Sequence, residues 1–259
     1  MNDALHVIVE PELFGSSAVL AFEGWNDAGD AASLALRTLV DAIQGVPLAR
    51  IDCETYYDFT VCRPEISETA DSGLAIRWPT NEFRFGSIDP DRELVTFMGV
   101  EPHLRWRSFC DCVSEVIHRV GVTRVIMLGS YLADVVYSQP VQVTGFASNP
   151  EELEQLGVAA SGYQGPTGIL GVLAERFVAE KLDVVSLWAG LPHYINVRPN
   201  PRGALALLQK VVESLEMAID VGPLHHSAVE FEEKISRLVA SDPELSDYVK
   251  QLKRREFAQ

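Results

Sequence analysis

Short runs of consecutive apolar residues recur along the chain, and most are followed by apolar residues at helical spacing. Ala18-Val19-Leu20-Ala21-Phe22 predicts a strand, and Ala32, Leu36, Leu39, Val40 and Ile43 predict the helix after it. Leu94 to Met98 predicts a second strand, followed by Phe109, Val113, Val116, Ile117 and Val120 on a helix. Arg124 to Leu128 predicts a third; Ile169, Leu173 and Phe177 predict a helix before a fourth, Asp183 to Trp188. Continuous rather than alternating apolar strands imply burial on both faces, and the strand–helix repetition implies a mostly parallel sheet between helices. The expected fold is a three-layer α/β/α domain.

Two regions break this rhythm. Residues 53–92 mix Tyr56, Tyr57, Phe59, Trp78, Phe83 and Phe85 with Pro64, Pro79 and Gly86, which predicts short strands and an arm that leaves the sheet. So many aromatics outside a sheet core suggest an interface. After Pro223 the spacing of Phe231, Ile235, Leu238 and Val239, then of Leu245, Tyr248, Val249 and Leu252, predicts a helical hairpin with Ser241-Asp242-Pro243-Glu244 as its cap. The division expected is a core over residues 1–221 and a helical extension over 222–259, the latter packed on its own or a sister subunit through Phe231, Ile235, Leu238 and Leu252.

With 259 residues, 47% of them hydrophobic, the chain can bury a sizeable core. Its 21 Lys+Arg against 37 Asp+Glu give a net charge of −16, which repels phosphate backbones and makes nucleic acid an unsuitable main ligand. Met1-Asn2-Asp3 opens no secretory signal, and no stretch approaches the ~18 apolar residues of a membrane span, so a cytoplasmic protein that binds no membrane is expected. Cys53, Cys62, Cys110 and Cys112 form no C-x-x-C, so they read as buried or half-buried thiols. No metal and no cofactor is expected.

In an open parallel sheet, ligands bind beyond the carboxyl ends of the strands. Four segments fall there: Glu23 to Asp30, Gly99 to His103, Gly129 to Asp134, and Ala189 to Tyr194. The first has glycines spaced like a phosphate loop, but Asp30 stands where that motif needs lysine, which disfavours nucleoside triphosphates; Asp27 and Asp30 read as helix caps. Ser130 could be a nucleophile if His193 reached it, though the second glycine of a nucleophile elbow is missing. His225-His226 reads as solvated or capping. A fifth segment, Gly162 to Gly168, precedes a helix, and its free amides could hold an anion. The candidate ligand-binding rim is Glu23, Trp25, Asp27, Glu101, Ser130, Asp134, Tyr163, Thr167 and His193, expected to form one concave surface.

At these same segments the chain resembles the proteasome assembly chaperone 2 family in its actinobacterial-type branch. The resemblance is carried by Phe22 to Gly29, Gly99 to Pro102, Gly129 to Asp134, Tyr163 to Ile169 and Ser186 to Tyr194. It implies a fold similar to nucleoside phosphorylases and related hydrolases, homo-oligomeric assembly with a trimer favoured, and a possible protein partner. It favours a non-enzymatic assembly or scaffold role; the alternative is a small-molecule-binding hydrolase/phosphorylase-like enzyme with its site on the rim. Eukaryotic chaperones of this kind dock on the proteasome α-ring through a hydrophobic-tyrosine-any tail. This chain ends Phe257-Ala258-Gln259, so tail-mediated docking is not expected.

Overall fold

The structure, a computed structural model, describes residues 3–11, 13, 15–68 and 73–256. In chain order the elements are β1 (Leu5–Val7), β2 (Ser16–Glu23), a 3-10 turn at Ala28–Asp30, α1 (Ala31–Ala42), β3 (Val46–Ile51), β4 (Glu65–Glu68), β5 (Leu74–Arg77), β6 (Glu82–Asp89), β7 (Arg92–Val100) and α2 (Trp106–Arg119). There follow β8 (Val122–Ala133), β9 (Val143–Ala147), α3 (Pro150–Gln155), β10 (Ala159–Ala160), α4 (Ile169–Ala179), β11 (Asp183–Pro192), α5 (Pro201–Ser214), α6 (Gly222–Ser241) and α7 (Pro243–Glu256).

The main sheet runs β1-β3-β6-β7-β2-β8-β11-β9-β10. Its centre, β7-β2-β8-β11, is parallel and consists of the four strands the apolar runs predict. Antiparallel strands extend it through β6 on one side and β9 on the other. Successive side chains alternate faces, so Val125, Met127 and Val184 enter one apolar layer beneath α2 and α4, while Ile126, Leu128, Val185 and Leu187 enter the other beneath α1 and α5. This is the expected three-layer architecture.

Three expectations need correction. The parallel ladder continues past the apolar runs, pairing Trp188 with Gly129, Ala189 with Ser130 and Pro192 with Ala133, so most of two presumed loops are strand. Gly129 is buried against the Trp188 ring, where a Cβ would stand 2.5 Å from it, and Ser130 is buried beside it. The arm is only partly an excursion: Tyr56, Tyr57 and Phe83 are buried in the chain's own core, because β6 joins β7 and the turn at 53–62 packs on α2. What projects is the separate β4–β5 hairpin. In the C-terminal hairpin Ile235, Val239, Val249 and Leu252 are buried against Val136, with Phe231 packed beside them, whereas Leu238 is exposed. The i, i+4 pair Ile235 and Val239 faces the body, and Leu238 is turned about 100° away. Asp242 caps α7, accepting from the Leu245 amide at 3.1 Å.

The four cysteines are free thiols, two buried and two half-buried, as expected. Cys110 and Cys112 diverge around α2; Cys112 Sγ lies 3.4 Å from the Tyr56 hydroxyl, and burial pushes the Cys110 thiol up to about 12. Among the described residues no helix is long and apolar enough to cross a membrane.

Candidate functional site

The loop leaving β2 is pinned to both neighbouring strands. The Glu101 amide donates to the Glu23 carbonyl at 2.9 Å, and the Ser130 amide donates to the Asn26 carbonyl at 2.9 Å. These bonds bring the first, second and third motif segments together. Asp27 then turns inward, and its Oδ1 accepts from the Ala32 and Ser33 amides at 2.8 and 3.3 Å. It caps α1 from outside the helix, satisfying amides that would otherwise lack a partner. Burial pushes its carboxyl above the usual aspartate range, a shift opposed by these bonds. Its Oδ2 is buried without a hydrogen-bond partner.

Glu101 does the same for α4. Its Oε1 accepts from the Ile169 amide at 2.8 Å and from Asn26 Nδ2 at 2.9 Å, tying the fifth segment to the first two. A Cβ on Gly168 would stand 2.2 Å from Asn26 Oδ1 and 2.7 Å from Glu101 Oε1. Only glycine permits this approach, and its φ of −88° shows that space, not backbone conformation, is the reason. The free amides expected at Gly162 to Gly168 are therefore not open to an external anion at Ile169. The N-termini of α1 and α4 thus already hold carboxylates of the chain itself.

Ser130 is fully buried, and its hydroxyl donates to the Ala28 carbonyl at 2.8 Å. It does not meet His193. Ser130 lies opposite Ala189, and His193 is four residues further along, roughly 13 Å at about 3.3 Å per residue. His193 instead places Nδ1 3.1 Å from Asp134 Oδ1, both side chains largely exposed. Its ring meets Tyr194 and Tyr248 edge-on at 5.5 and 5.7 Å, and the Tyr248 hydroxyl donates to Asp134 at 3.3 Å.

The remaining rim residues face outward. Glu23 pairs with Arg37 at 3.1 Å, Trp25 is 60% exposed, and Thr167 is exposed. Tyr163 is 66% exposed, with its hydroxyl on the Pro166 carbonyl at 2.9 Å. A cleft of about 20 Å³ lies between Val135, Leu191, Ile195, Phe231 and Ile235, room for about one water, and none of the nine rim residues lines it. His225 and His226 are exposed, as expected. Sequence reasoning missed Asn26 as the bridge between Glu101 and Gly168, although it stands inside a motif segment. It also missed Tyr248, whose place depends on how the hairpin docks.

The nine residues thus form three sets: an interior set of carboxylates and hydroxyl, a His–Asp pair under the hairpin, and an exposed set rich in aromatics. A sequence model of the PAC2 family matches residues 21–239. The chain belongs to the PAC2 family. Among solved structures, a PAC2 family protein from Streptomyces avermitilis is 38% identical, with a TM-score of 0.83, 90% of this chain covered and 99% of that one. The Mycobacterium tuberculosis proteasome-assembly chaperone homologue Rv2125 is 39% identical, with a TM-score of 0.82 and the same coverage. A second M. tuberculosis protein, Rv2714, of unknown function, is 25% identical, with a TM-score of 0.89, 99% of this chain covered and 92% of that one. No curated protein matches the chain. Family membership agrees with the resemblance read from the motif segments.

Proposed function

We propose that this PAC2 protein is a non-enzymatic, assembly-chaperone-like or scaffold protein of the cytoplasm that is itself a homo-oligomer, a trimer by family resemblance, and engages a protein partner at the carboxyl end of its sheet. The observation that carries this reading is the division of the rim. Asp27, Glu101 and Ser130, the groups best placed for chemistry, are bound to the chain's own backbone. Trp25, Leu104, Leu132 and Tyr163, which can do little chemistry, are exposed around the same end. Large exposed aromatic and aliphatic side chains are what protein interfaces use. The naming of one close relative as a proteasome-assembly chaperone homologue supports the partner class.

The test is binding to purified proteasome α-subunits, followed by native mass spectrometry. A complex weakened at least tenfold in Trp25→Ser/Tyr163→Ser, but unaffected by deletion of Phe257 to Gln259, is expected. No complex, or one that needs those last three residues, overturns the reading. A second reading, a hydrolase/phosphorylase-like enzyme, draws on the His193–Asp134 pair. Hydrolysis or phosphorolysis of ester or nucleoside substrates, lost in both His193→Ala and Asp134→Asn, would establish it instead.

A further inference from the structure

Helix α7 is held to the body by a small contact. Val249 and Leu252 are buried, Leu245 and Tyr248 pack beside them, and the Tyr248 hydroxyl donates to Asp134 at 3.3 Å. All four anchors fall in the smallest of the three hydrophobic clusters. Helix α6 is fixed more broadly: Leu224 enters the apolar layer beneath α1 and α5, Glu232 pairs with Arg202 at 3.3 Å, and Ser236 meets the Tyr137 hydroxyl at 3.2 Å. Asp242 alone separates the two helices, extended at φ −114° and ψ 107°. The proline that follows it disfavours a helical Asp242, so α7 leaves the body by swinging about this residue rather than by extending α6. The PAC2 match ends at residue 239, before α7 begins. Yet α7 packs on Asp134 and His193, which directly follow β8 and β11 at the carboxyl end of the sheet.

We propose that α7 is an autoinhibitory helix: it occupies, in cis, a groove that otherwise takes a basic amphipathic helix of the protein partner. This rests on the partner reading above and adds its regulation. The groove is formed by Asp134, Val136, Tyr194 and Ile195, and the way α7 sits in it defines the occupant. Leu245, Tyr248, Val249 and Leu252 follow the i, i+3, i+4, i+7 spacing of a helix laid in an apolar groove. Lys250, Lys253, Arg254 and Arg255 make the second half of the seated helix basic, in a chain whose net charge is −16. Those cations suit the dipole of α7, and they equally suit an acidic body, so a competing helix needs the same sign. Exposed Leu132 stands two residues before Asp134, which makes the groove continuous with the surface assigned to the partner. A tethered helix acts at an effective concentration of about 1 mM, so a helix supplied in trans enters well only when α7 is loosened.

The experiment titrates a fluorescein-labelled peptide of residues 242–256 with the full chain and with the full-length variant Val249→Ser/Leu252→Ser, read by fluorescence anisotropy. The variant loosens α7 and leaves the groove itself unchanged. The peptide should bind the variant about tenfold or more tighter than the wild type. Binding should be lost when the peptide carries the same two serines, and weakened about tenfold when its Lys and Arg are replaced by Gln. Equal binding to the two proteins, or none to the variant, overturns the inference; a Gln peptide that binds equally well overturns the basic character of the occupant. If the variant misfolds, hydrogen exchange of the wild type decides: α7 should exchange about tenfold or more faster than residues 224–239, and equal protection overturns the displaceable helix. Purified proteasome α-subunits should in turn bind the variant about fivefold or more tighter than the wild type. Equal α-subunit affinity overturns autoinhibition and leaves the partner reading standing. No α-subunit complex with either protein overturns the partner reading, and the peptide titration then decides the groove.

Discussion

Glu101 places a carboxylate oxygen 2.8 Å from the amide of Ile169, the first residue of α4, across 68 residues of chain. The position that a phosphate takes in nucleotide-binding α/β proteins is filled here by the protein's own side chain. Glu101→Ala should therefore lower stability by about 1–3 kcal/mol, because it uncaps α4 and leaves Asn26 Nδ2 without its acceptor. It should also open the helix terminus, so that sulfate raises the Tm of the variant more than that of the wild type. Thermal unfolding with and without sulfate checks both; equal salt responses would contradict the account.

Gly168 is sterically bound to Asn26. Gly168→Ala forces a methyl to 2.2 Å from Asn26 Oδ1, and should destabilise by about 2 kcal/mol or more. Truncating the neighbour should relieve the clash, so the double variant Gly168→Ala/Asn26→Ala should lose less than the two single losses combined. Denaturant titrations of the four proteins in the cycle measure the coupling, and additivity would disprove the contact.

Asp27 predicts a direction of pH dependence. Its folded carboxyl is raised above its ordinary value of 3.8 by burial. A raised folded value means that the protonated group favours the folded chain. This contribution is fully present below the unfolded value and is lost as pH rises through the folded one. Stability of the wild type relative to Asp27→Asn should therefore fall as pH rises from about 3.8 upward. Urea unfolding of both proteins across the acid range reads this, and a difference that rises with pH would reverse the assignment.

The C-terminal hairpin rests on a small apolar cluster of its own, with Ile235 at its centre. Ile235→Ala should cost about 2–5 kcal/mol locally. Hydrogen exchange should accelerate in α6, α7 and residues 194–197, with β2 and β8 unchanged. Uniform acceleration across the chain would show that the hairpin does not open as a separate unit.

Much of the fold was legible in local pattern. The four central strands are continuous apolar runs because both of their faces are covered, and α1, α2 and α4 show apolar residues at helical spacing. The hairpin cap at Asp242 and the family resemblance rest on residue identities that survive without coordinates. Tertiary structure decided what those residues do. Glu101 and Asp27 are carboxylates near helix starts in the sequence, but only tertiary structure, with β2 paired to β7 and β8, brings Asn26, Glu101, Ser130 and Ile169 into one hydrogen-bonded group. Tyr56 and Phe83 read as an exposed arm because burial by β6 depends on a sheet edge formed by distant residues. Ser130 and His193 looked convergent since both follow apolar runs; the ladder of β8 and β11 continues past those runs and sets them roughly 13 Å apart. Spacing along a chain specifies which face a side chain takes within its own element, whereas register between elements, a sum of many non-local contacts, determines which side chains meet.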